Sequence, residues 1–222
     1  MWTARLILQL EPKWLRNFYL CELDKSQFEL LEKLKHEQPD EKGRTIDIHR
    51  GDCNTWIPSI LSKIKEKEAT FCLLDQRTFE CQWKTVEAVA HHKKDSNNKI
   101  EIFYFLPNAW LGRAIAATRD KKIIRQWWGR SDWKNLEVMT SSTRRESFTE
   151  RFRELGYRSV KPWPIYDKKE GRRIMYWMIH ATDHLEAPTL MRRAYEKAVT
   201  PLEPPEQIRF EFQHSSAPPK EF

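Results

Sequence analysis

Phe18-Tyr-Leu-Cys-Glu-Leu-Asp24, Thr45-Ile-Asp-Ile-His-Arg-Gly-Asp52, Thr70-Phe-Cys-Leu-Leu-Asp75 and Ile100-Glu-Ile-Phe-Tyr-Phe-Leu-Pro107 are four apolar runs in the first half of the chain, and the first three end in an acid. Each is short and rich in aromatic or β-branched residues, the composition of a buried strand. Helical patterns separate them: Phe28, Leu31 and Leu34 behind Ser26, an N-cap residue type; Ile57, Ile60, Leu61 and Ile64 behind Asn54, another; then Trp83, Val86, Val89 and Ala90. Strand and helix in alternation predict an α/β domain with a mostly parallel sheet and crossover helices, whose ligands sit at the carboxyl ends of the strands. Glu22, Asp24, Asp52 and Asp75 fall there. A nucleotide-binding sheet of this kind normally opens with a strand and a glycine-rich turn, but residues 1–17 contain no glycine. The first strand is therefore expected to be missing.

The second half changes in kind. Residues 109–135, basic and aromatic, carry no proline and no strand run, and read as an inserted helical segment. Phe148, Phe152 and Leu155 mark one face of a further helix, which Gly156 is placed to stop. Two extended segments, 157–166 and 172–182, are joined by the polar link Asp167-Lys-Lys-Glu-Gly171, short enough only for antiparallel neighbours. A last helix centres on Leu190, Met191, Ala194 and Ala198. The expected organisation is one α/β domain over 1–199 and a proline-rich tail over 200–222, extended or disordered apart from a candidate strand at 208–212.

Composition bounds the partners. Against 32 acidic residues stand 39 basic ones, giving a net charge of +7 and a pI near 9.2, a balance that favours anionic partners without naming one. Arg144 with Arg145, Arg151 with Arg153, and Arg172 with Arg173 are candidate phosphate contacts. Among ten tryptophans, Trp127 and Trp128 lie between Arg125 and Arg130, where exposed indoles would stack on nucleic-acid bases. The competing reading makes them amphipathic core fillers in an extra helical layer. Cys21, Cys53, Cys72 and Cys81 show no Cys-x-x-Cys spacing and read as free thiols of a reducing cytosol. Of the histidines only His91 and His92 are adjacent, and neighbours on a helix point apart, so no metal site is expected. Neither a signal peptide nor an apolar run of membrane-spanning length is present, and a soluble cytoplasmic protein is expected.

Taken in order, Phe18–Asp24, the Gly51-Asp52-x-Asn54 turn, Leu74-Asp75 with Trp83-Lys-Thr-Val-Glu-Ala-Val-Ala90, Phe105-Leu-Pro107 with Arg113, Gly129 with Trp133, and Ala181-Thr-Asp-His-Leu-Glu-Ala-Pro188 resemble the three-Cys-motif partner family over residues 4 to 199. The resemblance implies a Rossmann-like, class I methyltransferase-type sheet ending in an antiparallel hairpin. It also implies a neighbour, a radical S-adenosylmethionine-like protein that carries the three-cysteine motif. Two departures stand out. The family's opening strand and Asp-x-x-Ala-Gly-x-Gly turn have no counterpart, residues 4–10 resembling only the helix after that turn, and an Asp-Pro-Phe-Gly-like loop is replaced by Asp75-Gln-Arg-Thr-Phe79.

In such folds Glu22, with Asp24 as second choice, would hold the ribose hydroxyls of S-adenosylmethionine. Asp52 would meet the adenine amino group, aided by backbone groups of Cys53 or Asn54, and Asp75 would face the methyl-transfer centre as the candidate catalytic residue. The competing reading makes all of these ordinary solvated caps. Arg77 near a sulfonium is like-charge repulsion unless Asp75 neutralises it; Arg77 could instead hold a phosphate and Phe79 stack a base, with Arg113 on the same nucleic-acid surface. The expectation is an incomplete or degenerate methyltransferase-like subunit acting with a partner. The alternatives are a non-catalytic nucleic-acid-binding or assembly protein, an active nucleic-acid methyltransferase whose first strand comes from another chain, and a split gene product. Family neighbours associate it with mobile elements or defence.

Overall fold

A computed structural model of the protein describes residues 2–10, 14–39, 43–93, 99–167 and 173–199. The 168–172 part of the predicted hairpin link, the candidate strand at 208–212 and the proline-rich tail lie outside them. The chain divides into a first compact unit, Met1–His184, and a second, Leu185–Phe222, in which helix α9 (Ala187–Val199) is the described element.

Within the first unit the order is α1 (Trp2–Leu8), β1 (Asn17–Glu22), α2 (Lys25–His36), β2 (Thr45–Arg50), α3 (Cys53–Leu61), β3 (Phe71–Leu74), α4 (Trp83–His91) and β4 (Glu101–Pro107). Then come α5 (Leu111–Ala117), α6 (Lys121–Trp128), α7 (Asn135–Val138), α8 (Ser141–Glu154), β5 (Ser159–Tyr166) and β6 (Ile174–Thr182). The strands form two sheets. One is the parallel pair β1-β2, the other the order β3-β4-β6-β5, in which β3 and β4 are parallel and β6 is antiparallel to both β4 and β5. A mixed α/β architecture is thus present, but the parallel strands are divided between two sheets.

Two helix starts correct the sequence reading. Asp24, not Ser26, caps α2: its carboxylate accepts from the Gln27 N–H at 3.0 Å and from the Ser26 hydroxyl at 2.5 Å. Asp52, not Asn54, caps α3 by accepting from the Asn54 N–H at 2.9 Å. In each case the carboxylate two residues earlier reaches the free first-turn amides, leaving the hydroxyl or amide inside the helix to serve the cap.

Alternation sorts the side chains of the strands. Phe18 and Leu20 of β1, with Ile46 and Ile48 of β2, pack with Leu8, Leu31 and Leu34 from α1 and α2. The opposite residues turn toward α3: His49 lies 4.6 Å from Trp56, and Asp47 pairs with Lys63 at 3.1 Å. The larger core forms on β4, where Ile102, Tyr104 and Leu106 are at most 1 % exposed and Tyr104 meets Phe148 and Phe152 of α8. The predicted helical segment at 109–135 holds the short helices α5 and α6 and runs into the start of α7. Asp120 caps α6, and Gly129, at φ 75°, ends it. Gly156, at φ 83°, follows the end of α8 as expected.

Candidate functional site at the strand ends

The acids singled out from the sequence lie around the carboxyl ends of β1, β2 and β3. Glu22 is opposite Arg50 in the β1-β2 ladder, and the Gly51 N–H donates to the Glu22 carbonyl at 2.9 Å, so the first two strand ends are neighbours. Glu22 turns one carboxylate oxygen back to accept the Asp24 N–H at 2.9 Å. The Ser26 hydroxyl, then the Gln27 N–H, hold the exposed Asp24 carboxyl below its usual range. Asp52 gives one oxygen to both the N–H and the side-chain amide of Asn54. Asp75 is exposed and accepts from the Thr3 hydroxyl at 3.4 Å. Arg77 is also exposed and lies within electrostatic reach of Asp24. Tyr176 stands close enough to Asp75 and Arg77 to feel both; burial first, then the Asp75 charge, pushes its phenol up, and Arg77 opposes them.

Asn54 does more than its sequence position announces. Its side-chain N–H₂ donates to the Glu80 carbonyl at 2.7 Å, and its oxygen accepts from the Gln82 N–H at 2.9 Å and the Thr85 hydroxyl at 2.8 Å. One amide thus ties the turn after β2 to the loop after β3 and to the start of α4. Buried Gln76 works beside it, accepting from the Cys81 N–H at 3.2 Å and donating to the Phe105 carbonyl at 3.3 Å. Together they fix the 75–82 loop, and neither signal is legible in a sequence, because the partners are backbone groups brought in by tertiary contact.

This clamp sets Cys53 against Cys81. The Cys81 thiol donates to the Gln82 carbonyl at 3.8 Å, and the interaction of the two neighbouring sulfurs lowers Cys53 and raises Cys81. Burial first, then the neighbouring Cys53 sulfur, pushes Cys21 and Cys72 up to about 12. All four are free thiols. Among the described residues no group of three or more His, Cys, Asp or Glu is placed to hold a metal ion, and no helix is long and apolar enough to cross a membrane.

The residues read as nucleic-acid contacts separate into two sets. Trp127 and Trp128 are 0 % and 2 % exposed, both ring-packed on Phe148, with the Trp128 indole N–H donating to Asp132, so the core-filler reading describes them. Phe79 is buried edge-on against Trp127 at 5.0 Å and offers no face to a base. Arg151 is buried, Arg144 donates to the Leu136 carbonyl, and Arg145 lies over Trp177 at 5.0 Å. Arg130 pairs with Glu154, and Arg153 with Glu146 and Glu150. Arg77, Arg113 and Arg125 remain exposed. Of these arginines Arg151 is buried, whereas Arg130 and Arg153 pair with acids at the surface.

No family model matches the chain, and neither the curated proteins nor the solved structures contain a significant match to it.

Proposed function

We propose that this chain is a methyltransferase-like subunit that contributes part of an S-adenosylmethionine site and acts with a partner protein. The strand order carries the reading. Setting β2-β1 beside β3-β4-β6-β5 gives the order left by a Rossmann-like, class I methyltransferase sheet when its central first strand is removed, the antiparallel last pair included. In that frame Glu22 belongs to the ribose, Asp52 to the adenine and Asp75 to the transfer centre, each at the end of its strand. Glu22 and Asp52 each commit one oxygen to a local turn, and among the described residues the second is left for a ligand.

The residues present do not fit the whole cofactor. Close approach of backbone to such a ligand needs a glycine turn between β1 and β3, and no side-chain pair replaces it: two hydrogen bonds contribute about 1 kcal/mol each, or about 1.5–3 when charge-assisted. No transfer step is assigned to the chain alone. The partner is a three-Cys-motif radical S-adenosylmethionine-like protein, a proposal that rests on the sequence resemblance.

Isothermal titration calorimetry with S-adenosylmethionine tests this. The isolated chain should bind weakly or not at all, with Glu22→Ala changing little. Adding a three-Cys-motif radical S-adenosylmethionine-like protein should tighten binding by at least about tenfold, roughly 1.4 kcal/mol, in a manner that requires Glu22. Tight binding by the chain alone, abolished by Glu22→Ala, would show a complete pocket. No binding even with the partner would remove the cofactor reading.

A further inference from the structure

Strands β1 and β3 are each the end strand of their sheet, so among the described residues each has one edge without a strand partner. Their amino ends are linked where the Asn17 side chain donates to Glu68, just ahead of β3, at 2.8 Å. Their carboxyl ends are near enough that the Arg77 charge, beyond β3, reaches Asp24, beyond β1. The two strands therefore run in the same direction, yet among the described residues no backbone hydrogen bond joins them. An asparagine and a glutamate joined end to end reach at most about 10 Å between Cα atoms, which leaves room for two strand spacings of about 4.8 Å.

Both faces of this gap are covered. On one side α1 runs from Thr3, bonded to Asp75 at the end of β3, to Leu8, packed with Phe18 at the start of β1. On the other, α3 begins with Cys53, beside Cys21 of β1 and Cys72 of β3, and beyond its end Lys63 lies over Tyr19 of β1. A space bounded by two parallel edges and two helices has the shape of one interior strand. Apolar side chains nonetheless stay open beside it: Leu23 is 67 % exposed and Phe71 is 39 % exposed. Elsewhere in the unit, residues such as Ile102 and Tyr104 of β4 are fully buried.

We infer that the slot between β1 and β3 accepts one β-strand, parallel to both, from a second polypeptide. Half the backbone groups of β1 and β3 point into the slot, and a parallel strand satisfies both rows at once. Helices on both faces require a near-continuous apolar run of about five residues. Where the donated segment leaves the slot it meets Glu22, Asp24, Asp52 and Asp75, a rim that favours Lys, Arg or free backbone amides next in its sequence. The chain's own candidate strand, Ile208-Arg-Phe-Glu-Phe212, alternates charge with aromatic residues and would bury Arg209 or Glu211 unpaired under a helix, which disfavours self-supply. The inference names the kind of contact a partner makes and needs no cofactor to be tested.

The test is backbone hydrogen exchange on the full 222-residue chain, with and without excess synthetic peptide acetyl-KTVVVIGKK-amide. Amides of 17–22 and of 71–74 should slow together by roughly tenfold or more, those of β5 should not change, and a control peptide with alternate valines replaced by proline should have no effect. Unchanged exchange, protection of one edge alone, or edge amides already as slow as those of β4 without peptide would each overturn the slot. Protection that grows with protein concentration in the absence of peptide would instead make a second copy of the chain the occupant and overturn donation by a different polypeptide.

Discussion

The guanidinium carbon of Arg151 lies 3.6 Å from the centroid of the Trp83 ring and 4.6 Å from that of Trp128, and the same side chain donates to the Trp128 carbonyl. A cation is thereby held in the core by aromatic faces and a backbone oxygen, with burial working against its charge. It joins α8 to α4 and α6.

Arg151→Ala should destabilise the protein by about 2–4 kcal/mol, because it removes the packed stem and leaves the Trp128 carbonyl without its donor. Arg151→Met, which keeps the stem, should cost less. Urea unfolding of the two variants reads the difference; equal midpoints to wild type would show that the buried cation contributes nothing net.

Gly129 should tolerate no side chain. Its φ is 75°, and a Cβ there would stand 2.6 Å from the Trp83 Cβ. Left-handed strain of about 1–2 kcal/mol and overpacking of about 1–3 kcal/mol combine, so Gly129→Ala should lower thermal stability sharply. Gly43 is also left-handed, but a Cβ there meets nothing within 4 Å, so Gly43→Ala carries only the conformational penalty and serves as the comparison.

Thiol reactivity should be graded. Near neutral pH iodoacetamide should label Cys53 first, because it is partly exposed and the Cys81 thiol stabilises its thiolate. Cys21 and Cys72, pushed up to about 12, should lag far behind. Cys81→Val should slow Cys53 by removing the neighbouring sulfur whose interaction lowers it. Peptide-resolved mass spectrometry checks the order, and faster labelling of Cys72 than Cys53 would contradict it.

Acid should weaken the α2 cap. The folded-state value of Asp24 is depressed, so its contribution is fully present above the ordinary carboxylate range and is lost as pH falls through the lower folded value. Asp24→Asn keeps an acceptor but no titrating charge, so the acid limb of its stability curve, from about pH 4 downward, should be flatter than wild type. Parallel curves for the two proteins would assign the acid sensitivity elsewhere.

What the sequence determined by itself was the list of elements. Apolar runs with branched and aromatic residues gave β1 to β4 within a residue or two, helical spacing located α2, α3, α4 and α8, and a short polar link required β5 and β6 to be antiparallel. These are local consequences of periodicity and turn chemistry. The strand-end acids were legible for the same reason. Tertiary structure decided which groups were free to act. Trp127, Trp128, Phe79 and Arg151 have the composition of a nucleic-acid face, yet they pack into a shared core because Phe148 and Trp83 arrive from distant helices to cover them. The two unpaired edges of β1 and β3 were likewise set by long-range contacts. The Asn17–Glu68 bond brings the start of β1 near the approach to β3 without pairing the two strands, whereas periodicity specifies a strand without specifying its neighbour.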